Sequence, residues 1–386
     1  IGTGSGQPGS NSTILLRGVS SINGNVEPLF IVDGVPVDED NFRSINTSDV
    51  ESISVLKDAA ATALYGNRGA SGVIVMITKK GKFGQALEIT YKGQLGVSVL
   101  PKANFDVMNA YQKLNFNRDN DSGVGSGLSD AEINALAKQT NTDWKDIFFR
   151  KGLTQNHTIN ISSGTENTRS FTSIGFMNQD GVTRRSALKR FNFRNNFSGK
   201  SKNDKFNVNT TLTANYSTSD FIQNEGAGSL ANPFLVPYVA NPFLSPYNPD
   251  GSLNTVGTGL DGFDNTPFTS LNNTLLNTDK EEELKIIGSL NTSYKLTKNI
   301  TAGYNLGVDY TQINALVIRD PNSVYGQTDV ASGDGQFQGS QFESYRRDVR
   351  FSNLATLGYN KVINEVHTFD LNLFTEYNHS FVNSNS

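Results

Sequence analysis

Much of the chain alternates an apolar with a polar residue. Ile89, Tyr91, Gly93, Leu95 and Val97 are interleaved with Glu88, Thr90, Lys92, Gln94 and Gly96. A two-residue period gives an extended strand one greasy and one wet face. The pattern returns at Ile159 and Ile161, between Thr158 and Asn160. It returns at Phe191, Phe193 and Phe197, interleaved with Arg190, Asn192, Arg194 and Asn196. Phe206, Val208, Thr210, Leu212, Ala214 and Tyr216 oppose Asn207, Asn209, Thr211, Thr213, Asn215 and Ser217. Leu284, Ile286, Leu290 and Tyr294 oppose Lys285, Ser289, Asn291 and Ser293, and Tyr304, Leu306, Val308 and Tyr310 oppose Asn305, Asp309 and Thr311. With 343–360, 365–378 and the less regular 170–180, the pattern predicts about nine strands, most of ~10 residues or more, a length that suits a tilted membrane strand. Asn195 is a flaw in the pattern, since it shares the phenylalanine face yet is polar.

The predicted connections alternate in length. Those at 164–168, 200–204, 297–299 and 361–364 are short, and those at 100–154, 181–188, 219–283 and 315–342 are longer. Such alternation gathers the long loops at one end, as in a membrane barrel, whereas a soluble β-sandwich has no reason to do so. Inside the long connections, 105–117 has a roughly helical apolar period. Ser129 and Glu132 form a capping-box pair ahead of a helix at Asp130–Gln139. The 219–283 connection carries proline-flanked aromatics, Phe234, Tyr238, Phe243 and Tyr247. They suit a contact patch for a partner or cargo, or a loop that packs on its own aromatics.

The first 82 residues have a different texture. Leu29–Val32 is a short apolar run closed by the turn pair Asp33-Gly34, and Val73–Thr78 is a second β-branched run. Between them, Ser48 and Glu51 have capping-box spacing. Ile53, Val55 and Leu56 suit a short buried strand, and Asp58 can cap an alanine-rich helix at 59–65 that Gly66 ends. The result is a small α/β unit with glycine at its corners, too small to account for the rest of the chain.

That unit resembles the plug domain of TonB-dependent outer-membrane transporters, and more narrowly of the SusC/RagA branch. The resemblance rests on Arg17-Gly18, the 32–36 run containing Asp33-Gly34, the 55–59 run containing Lys57-Asp58, Tyr65-Gly66-Asn67-Arg68, and Gly72-Val73-Ile74. Residues 141–144 and 178–181 look like the same family, while the later strands match in pattern alone. The resemblance implies a mostly β protein: a plug at 1–82, then at 83–386 about the first nine strands of a transmembrane antiparallel barrel of roughly 22 strands with long extracellular loops. Nine strands cannot close around a plug, so further strands are expected after Ser386, and the chain reads as an internal fragment. The same resemblance implies a SusD-like surface lipoprotein as lid, TonB as the source of work through a segment ahead of Ile1, contact with outer-membrane lipid, and import of a glycan or oligopeptide. The Asn- and Thr-rich strand faces should line the lumen and meet the plug through polar contacts. Arg17 is expected to form an ion pair with a plug or barrel carboxylate rather than to touch cargo.

Composition narrows the alternatives. The 386 residues carry a net charge of −4, no cysteine and three histidines. Near-neutral charge gives no reason to propose nucleic acid, and zero cysteine excludes a disulfide scaffold and Cys-ligated metals. No apolar run approaches the ~20 residues of a membrane helix, which leaves a barrel open because its strands alternate. His157, His367 and His379 have no metal-ligand spacing, and no nucleophile elbow or phosphate loop occurs. Asp119-x-Asp121-x-Gly123 begins like a calcium loop, but Val124 stands where the sixth-position glycine is required. Asp38, Glu39 and Asp40 read as a solvated acidic run. No cofactor, metal or catalytic constellation is therefore expected. Two rivals remain: a lidless siderophore or vitamin receptor, and a non-transporting structural outer-membrane component that keeps the plug as a scaffold.

Overall fold

Nine strands follow one another in a single sheet in which each pairs antiparallel with its sequence neighbours. The computed structural model describes residues 2–3, 7–10, 12–16, 27–57, 63–223, 232–254, 266–328, 338–363 and 366–385. Ahead of the large sheet lie two minimal strands, β1 (Gly2–Thr3) and β2 (Ser12–Thr13), and then β3 (Leu29–Val32), β4 (Val35–Val37), helix α1 (Glu39–Ser44), β5 (Val50–Leu56) and β6 (Val73–Thr78). The large sheet is the wall. It consists of β7 (Glu88–Ser98), β8 (Gly152–Gly164), β9 (Thr168–Asp180), β10 (Ala187–Lys200), β11 (Phe206–Asp220), β12 (Thr278–Lys295), β13 (Ile300–Arg319), β14 (Ser340–Ile363) and β15 (His367–Asn385). The protein is mostly β, with the meander of a transmembrane barrel carrying a small α/β plug.

The two faces of the wall separate as the alternation requires. On β10, Asn192, Arg194 and Asn196 are buried on the concave side, while Phe191 and Phe197 are exposed on the other. On β11, Thr211, Thr213, Asn215 and Ser217 turn inward and Leu212 is 43% exposed outward. Asp309 and Thr311 are buried on β13, which puts Val308 on the outer face. A slip of one residue would exchange every one of these positions, so the register is tightly specified. Asn195 sits opposite Thr172 on β9 and donates to its hydroxyl at 2.9 Å. This bond satisfies the polar residue of the phenylalanine face without water.

The four-stranded plug sheet has the order β4-β3-β6-β5, with β3 and β6 parallel and the outer pairs antiparallel. Its core joins Phe30, Val32, Val35, Val37, Phe42, Ile45, Ile74 and Met76. Two expectations fail here. Ile53 and Val55 are 53% and 46% exposed: they pair with Met76 and Ile74 and share the face of the core, but β5 is the edge strand and they lie at the margin of that core. The turn after α1 is a 3-10 turn at Thr47–Asp49 capped by Asn46, whose side chain accepts from the Ser48 amide, so Ser48 is not the cap. The helix expected at 59–65 falls partly on residues outside the described ones; Ala63–Gly69 is 3-10.

The long connections carry α2 (Ala110–Asp119), α3 (Asp130–Gln139) and α4 (Trp144–Phe148) before β8, and α5 (Val236–Val239) and α6 (Thr266–Leu276) before β12. A last one, α7 (Val324–Thr328), precedes β14. Helix α2 starts five residues later than its apolar period suggested, at the Asn109–Gln112 capping box, leaving Phe105 and Met108 in the preceding loop. Ser129 and Glu132 do close a capping box on α3. Asp119 is the last residue of α2 and lies 3.5 Å from Arg118, while Asp121 and Gly123 follow the helix at φ of 47° and 61°. Leu212→Arg is expected to destabilise the assembled barrel by about 2–4 kcal/mol if Leu212 lies near mid-bilayer. Equilibrium folding of the full-length protein into vesicles measures it, and the inward Thr211→Arg serves as the register control.

Candidate functional site

The seam between plug and wall centres on one carboxylate. Asp33 and Gly34 have φ of 49° and 89° and join the paired residues Val32 and Val35. Two central residues at positive φ make the tight hairpin turn for which Asp-Gly is suited. The turn holds Asp33 against the end of β6, where one carboxylate oxygen accepts from the Thr78 amide at 3.0 Å and the other from the Thr78 hydroxyl at 2.5 Å. The second oxygen also receives the guanidinium of Arg194 from β10. The two side chains are 1% and 3% exposed, so this ion pair is dry. Arg194 further donates to the hydroxyls of Thr78 and Thr213, the latter at 2.6 Å, and to Asn196 at 3.4 Å. Asn196 in turn donates to Thr78 at 3.0 Å and to the Lys79 carbonyl at 2.5 Å.

Further polar contacts extend the seam across the wall. Asn46 donates to Thr158 on β8 at 3.0 Å, and Asn215 on β11 donates to the Ser44 hydroxyl at 2.8 Å. Asn41 donates to Asp309 and, at 3.1 Å, to Thr311 on β13. Arg350 on β14 lies 3.3 Å from Asp38 of the plug and 3.6 Å from Asp309 of the wall. Near the long-loop end, Gln7 exchanges two hydrogen bonds with the backbone of Ile222, at 3.2 and 2.7 Å. The expected polar interface is therefore present, with an apolar exception. Ile287 points inward from β12 and joins the plug core, and beside it the plug's Val35 comes so close to Gly307 that an added Cβ would stand 2.9 Å from a Val35 methyl.

Two titratable plug groups sit in this seam. Burial holds the Asp49 carboxyl above the usual carboxylate range, against the pull of the Ser173 hydroxyl and Arg194. Lys79 donates to the Ser48 carbonyl at 2.5 Å, and burial together with neighbouring Lys92 pushes its ammonium below the usual lysine range. Among the described residues no three His, Cys, Asp or Glu side chains stand together as a metal site would require.

The motif residues distribute unevenly around this seam. Asp33 and Gly34 form its centre. Gly72, at φ 99°, lets the chain turn into β6, and Gly66 breaks the 3-10 segment at φ 58°. Lys57 directly follows β5 and Tyr65 is half-buried. Arg68 lines a cleft with Val35, Pro36, Asp309 and Arg350. Arg17, Gly18 and Asp58 lie outside the described residues. The wall partners Arg194, Asn196, Thr213 and Asp309 carried one signal in the sequence, their place on the wet face. Asn41 and Ser44 carried none.

The aromatic loop divides in two. Phe234 and Phe243 pack on a cluster formed by Trp144, Phe148, Phe149, Val236, Leu244, Phe268 and Leu271, with the Phe149 and Phe234 rings 5.3 Å apart. The Trp144 indole donates to the Asn241 carbonyl at 3.0 Å, which ties the 100–154 connection to the 219–283 connection. These two phenylalanines thus hold the loop together, as the self-packing alternative requires. Tyr238 lies at the margin, 5.4 Å from Phe105 and under the Lys145 ammonium at 5.1 Å, and Tyr247 is exposed.

A family profile described as TonB-dependent Receptor Plug Domain matches residues 1–73. The TonB-dependent receptor SusC of Bacteroides thetaiotaomicron is 33% identical over 213 residues, which are 53% of this chain and 20% of that protein. The TonB-dependent receptor P26 of Formosa agariphila is 29% identical over 331 residues, 83% of this chain and 32% of that protein. The chain therefore spans between a fifth and a third of these curated relatives. The RagAB peptide importer in its closed-closed state superposes with a TM-score of 0.77 at 24% identity, over 99% of this chain and 45% of that one, and so shares the fold.

The raised Asp49 carboxyl fixes the sign of a pH effect. The docked plug binds this proton more readily than the undocked one. Its contribution to docking is therefore fullest below the usual carboxylate pKa and declines as pH rises from there through the raised value. Asp49→Asn, neutral throughout, should flatten that decline. The urea midpoint at which the plug of the full-length protein becomes protease-sensitive, followed against pH, reads the effect; equal slopes for both proteins would refute it.

Proposed function

We propose, for a chain that is the plug domain and the first part of the barrel of a SusC/RagA-type TonB-dependent transporter, that the whole protein imports a glycan or oligopeptide across the outer membrane. TonB would supply the work by pulling on the plug, and a SusD-like lipoprotein would lid the mouth. The observation that carries this reading is the seam. A plug docked by hydrogen bonds to Asn, Ser and Thr can exchange those partners for water when it is displaced. A plug fused to its wall by a continuous apolar core could not. An outer membrane has no ATP and no ion gradient of its own, so transport against a gradient needs work delivered mechanically from outside it.

The long connections are assigned to the extracellular side, with Tyr238 and Tyr247 the members of the aromatic set left available to lid or cargo. One structural relative is a peptide importer and one sequence relative is SusC, which supports an importer of this type over a siderophore receptor. Purification of the tagged full-length protein from its own membrane should bring down a surface lipoprotein. Deletion of its gene should abolish growth on one polymeric nutrient. Uptake with no lipoprotein would instead indicate a lidless receptor, and unimpaired growth on every nutrient tested a structural component.

A further inference from the structure

Between the plug and the long-loop end of the wall lies a cavity of about 330 Å3. It is floored by α1 and the 9–10 turn and walled by the β9 to β13 ends nearest the long connections. Six charged side chains line it: Asp40, Arg43, Arg190, Glu281, Glu283 and Lys285. Four of them are already matched. Lys285 and Glu283 lie 2.6 Å apart, and Arg43 holds Asp40. Arg190 differs. Its Nε is buried without a partner, and among the described residues it makes no hydrogen bond or ion pair. In the strand register Arg190 faces Ser217, and Ser217 faces Glu283, so the one carboxylate in its row is two strands away and taken by Lys285.

A guanidinium without a hydrogen-bonded partner is costly in a half-dry cavity even with the Glu283 charge nearby, and a planar carboxylate is the group its fork matches best. We infer that this cavity is a cargo subsite in which Arg190 receives a carboxylate. The inference rests on the import reading above and sharpens it by naming the chemistry of the cargo. Glu281 stands one inward position closer to the loops, unpaired and of opposite sign. The subsite therefore suits a single carboxylate with a neutral or cationic group beside it and disfavours a polyanion. Two sources offer that group: the C-terminus of a peptide and a lone uronic acid on an otherwise neutral oligosaccharide.

The test is binding of small probes to the purified full-length transporter with its lid. Four probes are used: a neutral pentapeptide acid, its C-terminal amide, an oligosaccharide ending in one uronic acid, and its neutral counterpart. Expected is saturable binding of at least one acid probe, at least tenfold tighter than its uncharged twin. Arg190→Gln should erase the difference, and Arg190→Lys should restore part of it. Which acid binds identifies the source. Equal binding of acid and uncharged twin by the wild-type protein, or no saturable binding of either acid, would overturn the inference without any variant having to fold. Acid-selective binding without TonB-dependent uptake would defeat the import reading and leave the subsite standing. Uptake indifferent to the carboxylate would do the reverse.

Discussion

Two full charges lie in the driest part of the seam, and the remaining contacts are arranged around them. Taking an arginine or an aspartate out of water costs several kcal/mol, and attraction between them recovers it only when the geometry is good and the remaining lone pairs and protons are bonded. Here the geometry is good and most of those bonds are made, the buried Arg194 Nε being the exception. Asp33 is held by a turn that leaves it little freedom, Thr78 bonds both of its oxygens, and Thr213 and Asn196 flank the guanidinium. The pair is therefore better understood as a device for register than as glue. A plug docked a few ångströms away would strand a buried cation on the wall and a buried anion on the plug.

The remaining contacts are individually weak and numerous. Net stabilisation by a neutral hydrogen bond is about 1 kcal/mol, because water offers a replacement for each partner. Such a seam is specific when closed and reversible when wetted. Ile287 and the Val35–Gly307 approach add a small apolar area, placed where the plug core itself reaches the wall. The loops at the far end follow the opposite design. Trp144, Phe148 and Phe268 bury a real hydrophobic core there, so the two long connections behave as one packed unit. The loop end is thus held by apolar packing, and the plug seam mainly by polar contacts.

The strand faces were legible because alternation is a one-dimensional signal. Leu212 outward and Thr213 inward follow from parity alone once one face is greasy. Asn195 broke the parity, and its answer lay on β9, where Thr172 accepts its hydrogen bond; nothing in the β10 sequence announces that partner. The Asp33-Gly34 turn was readable from local chemistry, whereas the choice of Arg194 as its counter-ion was not, since 160 positions of chain separate them and several wet-face cations were available. Burial of Ile53 and Val55 was misjudged for a related reason. Apolar, β-branched residues announce a strand, but the sheet order decides whether that strand is central or an edge. The aromatic loop showed the same limit: composition marked four rings, and packing against α4, far away in sequence, decided that two of them face inward.

The most direct test of this account is a double-mutant cycle on the buried pair in the full-length protein. Asp33→Asn, Arg194→Met and the double variant would be compared with the wild type for the free energy of plug release, read as urea-dependent protease sensitivity of the plug. If the pair sets the register, each single variant strands a buried charge and should lose about 3–5 kcal/mol, while the double variant recovers much of that loss. Additive losses, or single variants within about 0.5 kcal/mol of the wild type, would mean that the plug is held without this contact.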